Sequence, residues 1–160
     1  MVLPPTIGVA RAEKLMRQAI AHAAHTPVED VPVAALVFGP GDELLAAATN
    51  RREADGDPTA HAEILAIQQA AALGRDGWRL SDCTLVVTLE PCCMCAGAIM
   101  GARVKEIIFG AFEPRTGACG SVWDLLRDPG TLHHPEVRGG VLAAECEELL
   151  TEFFLNLRCE

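Results

Sequence analysis

Cysteine crowding is the strongest constraint on this chain. Cys92, Cys93 and Cys95 fall within four positions, directly after the apolar run Thr84–Leu89 and the pair Glu90-Pro91. Such a run reads as a buried strand, and Pro91 opens a helix without wasting an amide donor. On a helix each residue turns by about 100°, so Cys92 and Cys95 share a face, whereas Cys93 and Cys95 diverge by about 200°. A helix N-terminus also favours the ionised thiols that a metal needs. A third donor stands in Thr59-Ala60-His61-Ala62-Glu63, in the first turns of an earlier helix. Zinc takes Cys sulfur and His nitrogen, and a catalytic zinc keeps its fourth position for water. We therefore assign His61, Cys92 and Cys95 to one zinc ion per chain and leave Cys93 out. Glu63 points to another side than His61 and need not bind the metal. A carboxylate beside the metal's water can take its proton and pass it on.

Each half of this constellation is weak alone. A lone histidine in an apolar helix is usually a packed core residue, and a lone C-x-x-C is often redox-active or structural. Structural zinc calls for a fourth protein ligand, and neither Cys83 nor Cys93 belongs to a second C-x-x-C pair. Taken together, H-x-E at a helix start and P-C-x-x-C at a strand-to-helix turn are far more specific.

The setting follows from composition. A chain of 160 residues, half of them hydrophobic and 22% charged, reads as a single globular domain over 1–160. Its seven cysteines (Cys83, Cys92, Cys93, Cys95, Cys119, Cys146 and Cys159) are odd in number and form no spaced disulfide framework. The start Met1-Val2-Leu3-Pro4-Pro5 lacks the cationic and apolar segments of a secretory signal. No apolar run approaches the roughly 18 residues that span a bilayer. These features predict a cytoplasmic protein with reduced thiols and no membrane association. The net charge of −9 excludes general electrostatic cover of a duplex, so no DNA is expected as a partner. It leaves room for a local patch that grips a small piece of nucleic acid.

The pattern of elements predicts a helix over Arg11–Ala24 and a hairpin of Val31–Phe38 and Leu44–Thr49 around Gly39-Pro40-Gly41-Asp42. Asp57-Pro58 reads as the cap and first position of a helix running to about Ala72. A strand over Thr84–Leu89, a helix over Cys92–Met100 and a strand over Val104–Gly110 follow. Next come a loop over Glu113–Gly120, a short helix capped by Ser121, and a terminal helix over Val141–Leu157. Strand and helix alternate in the middle third, so the fold class is α/β, a three-layer α/β/α sandwich with a mixed, roughly five-stranded sheet.

The pattern His61-Ala62-Glu63 with Pro91-Cys92-Cys93-Met94-Cys95 resembles the zinc-dependent nucleobase deaminases of the cytidine/deoxycytidylate deaminase superfamily. The likeness is strongest to the bacterial tRNA-specific adenosine deaminases. It extends through Asp57–Ile64, Val87–Ala98, Phe109–Ala111, Thr116–Ser121 and Glu152-Phe153-Phe154. The resemblance implies hydrolytic deamination of adenosine to inosine at the wobble position (34) of tRNA. Zinc-bound hydroxide would attack C6, with Glu63 as proton shuttle and His61, Cys92 and Cys95 as ligands. It implies that Asn50 recognises the base, with the backbone of Ala62 and Pro91 adding a donor and an acceptor. Arg51, Arg52 and Arg115 are candidate phosphate contacts, with a solvated surface charge as the equal alternative for each. Phe154 and Arg158 are four apart on the last helix and can share a face; the resemblance implies that this helix helps hold the anticodon loop, while core packing is the stronger reading of Phe154 alone. The resemblance also implies a homodimer.

The sequence also departs from the family. Val33-Ala34-Ala35 stands where a glycine is usual, Phe112 and Leu157 stand where basic residues are common, and Arg158-Cys159-Glu160 lacks a basic tail. These departures touch phosphate contacts and leave the catalytic set alone. Three rival readings remain: a deaminase of a free base such as guanine or cytosine, a non-catalytic zinc-binding partner subunit, and a small zinc-ribbon-like module. The second is expected to lose Glu63, which is present; the third is opposed by the H-x-E placement and the single C-x-x-C.

Overall fold

Strand side chains alternate between two faces, and both faces of the central strands here are apolar, so helices must cover both. The computed structural model describes residues 7–158. Helix α1 (Val9–His22) leads to β1 (Ala34–Phe38) and β2 (Leu44–Thr49), followed by the single turn α2 (Arg52–Asp55) and α3 (Ala62–Ala72). A short extended β3 (Arg75–Trp78) precedes β4 (Thr84–Leu89), α4 (Cys93–Gly101) and β5 (Glu106–Ala111). The chain continues with β6 (Glu136–Arg138) and α5 (Ala143–Leu157). Five strands pair in the order β2-β1-β4-β5-β6. β1 is antiparallel to β2 and β4, while β4, β5 and β6 run parallel. Hence β2, β4 and β5 all finish at the same end of the sheet, and α4 is the crossover that lets β4 and β5 be parallel.

The alternation sorts the core into two layers. Ala35, Val37, Leu85, Val87, Ile107 and Phe109 face Ala66 and Ala70 of α3 and Ala96 and Ile99 of α4. Ala34, Leu36, Phe38, Val86 and Ile108 face Leu15, Met16 and Ala19 of α1 and Cys146 of α5. This is the expected α/β/α sandwich with a five-stranded mixed sheet. Arg11 ties α1 to the sheet, reaching Asp42 and Glu106 at 2.8 Å each and the Thr84 hydroxyl at 3.1 Å. Gly110 lets α5 approach β5, since a Cβ there would lie 2.3 Å from Cys146 Sγ and 2.8 Å from the Thr88 carbonyl.

Several boundaries differ from the sequence reading. The helix expected from Asp57-Pro58 begins at Ala62, because Asp57 spends its carboxylate on the Thr59 amide and hydroxyl, both at 2.8 Å, closing a local turn. Cys92 caps α4 rather than lying in it, and His61 caps α3. Ser121 caps nothing; its hydroxyl bonds Glu90, and the helix expected after it shrinks to a 3-10 turn at Leu125–Arg127. The terminal helix starts at Ala143, after a left-handed Leu142. Strand β6 is too short and too polar to show any pattern. The Met1–Pro5 segment and Cys159 lie outside the described residues. Among those described, no helix is long and apolar enough to cross a membrane.

The Gly110 contact gives a test. Gly110→Ala is expected to destabilise the protein by about 1–3 kcal/mol, as overpacking of a filled core does. Urea unfolding should show a lower midpoint at unchanged slope. Adding Cys146→Ala should recover only part of the loss, because the Thr88 carbonyl stays in place.

Candidate active site

Two helix N-termini meet where β2 and β4 end. α3 starts after the turn that leaves β2, and α4 starts three residues beyond Glu90, which directly follows β4. Buried small side chains, Ala62, Ala66, Ala70 and Ala96, let the elements behind them approach closely. Extended backbone at both caps (φ −72°, ψ 149° at His61; φ −77°, ψ 177° at Cys92) brings the side chains in.

His61 Nδ1 lies 3.7 Å from Cys92 Sγ and 3.5 Å from Cys95 Sγ. The three donors lie within 4.8 Å of one another. Zinc bonds of about 2.3 Å to sulfur and 2.0–2.1 Å to nitrogen, at a tetrahedral angle, place N and S about 3.5 Å apart, so the residues fit a zinc ion. Electrostatics agree. A hydrogen bond from the Cys95 thiol, with His61 adding to it, holds Cys92 far below the usual thiol range, while that same bond and burial push Cys95 up. One shared hydrogen bond thus drives the two thiols in opposite directions, and a bound dication would favour ionisation of both. Cys93, exposed on the outer side of α4, takes no part. The expected convergence of Cys92 and Cys95 is present, but it comes from a cap and a first-turn residue rather than from two positions on one helical face.

Glu63, only 5% exposed, sits in the first turn of α3 beside the donors. Burial pushes its carboxyl up, against the pull of its own backbone amide and of His61. A carboxyl raised in this way would be suited to hold a proton taken from a zinc-bound water and to pass it on.

These groups open into a cavity of ≈ 250 Å³. Asn50, 8% exposed, stands on its wall, along with Arg52, Ala62 and Phe154. The Asn50 amide donates to the Val31 carbonyl at 3.2 Å and accepts the Arg52 amide at a long 3.4 Å, which fixes its orientation. Pro91 stands between the lining residues Glu90 and Cys92 but is not itself part of the cavity wall, and its carbonyl already accepts the Ala118 amide at 2.8 Å, leaving one lone pair. Phe154 is 48% exposed and lines the cavity rather than filling the core. Arg51 is held by Asp55 at 2.8 Å, so Arg52 is the cation facing the cavity. Arg115 and Arg158 are exposed and lie outside its lining.

Two buried carboxylates of structural weight escaped the sequence reading. Asp30, 1% exposed, accepts the Glu53 and Ala54 amides at 2.8 and 3.1 Å and so pins α2, the turn that carries Arg52. Glu90, 2% exposed, accepts the amides of Glu113, Cys119 and Ser121 at 2.9, 3.0 and 3.0 Å and the Ser121 hydroxyl. Burial pushes the Glu90 carboxyl up, but these hydrogen bonds outweigh it and hold the group below its ordinary value. Acidic residues in turns and just beyond strands are ordinarily solvated, so neither carried a signal.

Comparison with known proteins agrees with this geometry. The family model for the cytidine and deoxycytidylate deaminase zinc-binding region matches residues 9–111. The chain is 44% identical over 148 residues to the tRNA-specific adenosine deaminase of Bacillus subtilis strain 168, covering 91% of this chain and 90% of that protein. A structure from studies of A-to-I editing by tRNA:A34 deaminases at the wobble position of transfer RNA superposes with a TM-score of 0.75 at 35% identity. That match covers 88% of this chain and 99% of the other. The guanine deaminase of Nitrosomonas europaea superposes with a TM-score of 0.65 at 30% identity, covering 94% of this chain and 86% of that one.

Metal content tests the donor set. Cys92→Ser and Cys95→Ser are each expected to lose zinc, measured by elemental analysis of purified protein, whereas Cys93→Ser keeps one ion per chain. Zinc retained in Cys92→Ser and lost in Cys93→Ser contradicts the assignment.

Proposed function

This chain belongs to the cytidine and deoxycytidylate deaminase family, and from that premise we propose that it hydrolyses adenosine to inosine at wobble position 34 of a tRNA. The observation that carries the choice of substrate is its likeness to a tRNA-specific adenosine deaminase over nine-tenths of both chains. The site supports the chemistry. His61, Cys92 and Cys95 would hold the ion. When bound, zinc supplies Lewis acidity that makes an attacking oxygen available at neutral pH. Glu63 takes a proton from the attacking water and delivers it to the ring N1 as the C6–O bond forms, then carries the proton of the resulting C6 hydroxyl to the exocyclic amine, so that the C6–N bond breaks, ammonia leaves and a C6 carbonyl remains. Its burial keeps bulk water from competing for that proton.

Asn50 reads the base. An amide both donates and accepts, which matches an adenine edge, and its two hydrogen bonds to the chain hold it in place before substrate arrives. The Ala62 amide and the free lone pair of Pro91 complete the polar contacts. Arg52 and Phe154 flank the opening and suit a phosphate and an unstacked neighbouring base. Arg115 and Arg158, farther out, would meet the anticodon loop only beyond the flipped nucleotide. The reading includes a homodimer. In its support, α4 bears no charged side chain, with Cys93 and Gly97 exposed and Met94, Ala98 and Met100 half-buried. It also includes the cytoplasm, where thiols such as the six free cysteines among the described residues stay reduced.

A second reading, deamination of a free base, draws on the likeness to the guanine deaminase and on a cavity sized for one base.

Variants of two residues test the proposal on an anticodon stem-loop with adenosine at position 34, with inosine read after nuclease digestion. Glu63→Ala should keep zinc and bind the stem-loop but lose at least about 10²–10⁴ in rate. Near-native turnover by this variant contradicts the shuttle role. Asn50→Ala should lower kcat/KM by about ten- to a hundredfold, the cost of a base edge left unpaired.

A further inference from the structure

The carboxylate of Glu90 lies at the junction of two parts of the site. On one side it is two residues from Cys92, at the turn that supplies a metal donor. On the other it takes four hydrogen bonds from the loop over residues 113–121. Oε2 accepts the Glu113 amide and the Ser121 hydroxyl, and Oε1 accepts the amides of Cys119 and Ser121. Its bonds therefore reach both ends of the loop, and Glu113 and Thr116 of that loop form part of the cavity wall. The loop is fixed to the same turn by backbone as well. The Ala118 amide donates to the Pro91 carbonyl at 2.8 Å, and Cys92 bridges Gly117. Gly117 is the one residue type that fits, because a Cβ there would stand 2.5 Å from Glu90 Oε2 and 2.5 Å from the Glu113 carbonyl. A carboxylate this buried, with every acceptor position aimed at one loop, does more than end a strand.

We infer that Glu90 is a positioning residue for substrate: it locks the 113–121 wall of the cavity to the turn that carries Cys92, so that the metal and the wall that receives the base keep one fixed separation. Glu90 also lines the cavity, but the loop donates four hydrogen bonds to its two oxygens and leaves no lone pair free for substrate. It acts through Glu113 and Thr116, and its loss should weaken substrate binding more than it slows the chemical step.

Replacement by glutamine makes the inference specific. A glutamine carries one acceptor oxygen. Placed toward Cys119 and Ser121 it keeps those two amides, and its NH2 group can still donate to a reoriented Ser121 hydroxyl. The Glu113 amide is then left facing a donor. Glu90→Gln should thus free the Glu113 end of the loop and spare the other end.

Two measurements on the zinc-loaded protein decide it. Amide hydrogen exchange followed by NMR should be at least tenfold faster at Glu113 in Glu90→Gln, with Cys119 changed less than threefold. Kinetics on the adenosine-34 stem-loop, normalised to bound zinc, should show KM raised at least tenfold with kcat reduced by a smaller factor. Gly117→Ala, which pushes a methyl group into the same contact and leaves Glu90 intact, should give the same split. Ser121→Ala, which removes one bond of four, should raise KM less than threefold. The inference is overturned by unchanged exchange at Glu113, or by kcat falling with KM unchanged. It is overturned too by zinc and activity lost in proportion, which gives Glu90 a role in holding the fold alone. Where Glu90→Gln does not fold, Gly117→Ala carries the decision. The choice of stem-loop rests on the tRNA reading above, whereas the exchange measurement does not. Wild-type protein inactive on the stem-loop counts against that reading and leaves the exchange result to judge Glu90.

Discussion

The separation of two helix caps governs this molecule. His61 and Cys92 each end an extended segment and begin a helix, and their side chains meet Cys95 with donor atoms 3.5 to 3.7 Å from the imidazole nitrogen. That spacing follows from elements well away from the donors. The parallel pair β4–β5 places α4 on the same face of the sheet as α3. Alanines at 62, 66, 70 and 96 then let the helices sit close to the strands and to each other. Larger side chains there would separate the caps, and the three donors would no longer address one ion. The buried Glu63 depends on the same closeness, since it gains a role only beside those donors.

An acidic protein acting on RNA has to obtain its selectivity from shape. With a net charge of −9, and with Glu145, Glu147, Glu148 and Glu152 exposed on α5, the surface offers little to a run of phosphates. The cavity offers a concave place for a single base, with Asn50 and Arg52 on its wall. An anticodon loop presents unstacked bases, so the cost of extruding one is smaller than from a duplex. Recognition through one flipped nucleotide and a few flanking contacts is the arrangement that such a charge balance permits.

The metal site was legible in the sequence because zinc ligation demands particular residue types at particular spacings, and His61 with Cys92 and Cys95 meets that demand jointly although each half is weak alone. The sandwich was legible because strand and helix alternate through the middle third, which calls for a sheet with parallel members covered by helices. Helix starts were not. Asp57-Pro58 carries a helix-start signal, yet the Asp57 carboxylate finds partners at Thr59 and delays the helix to Ala62. Ser121 looks like a cap, yet a buried carboxylate thirty-one residues earlier claims its hydroxyl. Strand β6 gave no sign because three half-buried residues, Glu136, Val137 and Arg138, pair only along an edge already in place. Glu90 and Asp30 stayed hidden for a common reason. Their partners are backbone amides, which every residue has, so no pattern of side chains announces them.

Ammonia release from four substrates offered in parallel to the zinc-loaded wild-type protein tests the central claim most directly. The substrates are the adenosine-34 anticodon stem-loop, the same stem-loop with guanosine at position 34, free guanine and free cytosine. The account predicts ammonia from the adenosine stem-loop and none above background from the other three. Release from free guanine or cytosine, with none from the adenosine stem-loop, would contradict the tRNA assignment while leaving the zinc deaminase chemistry in place.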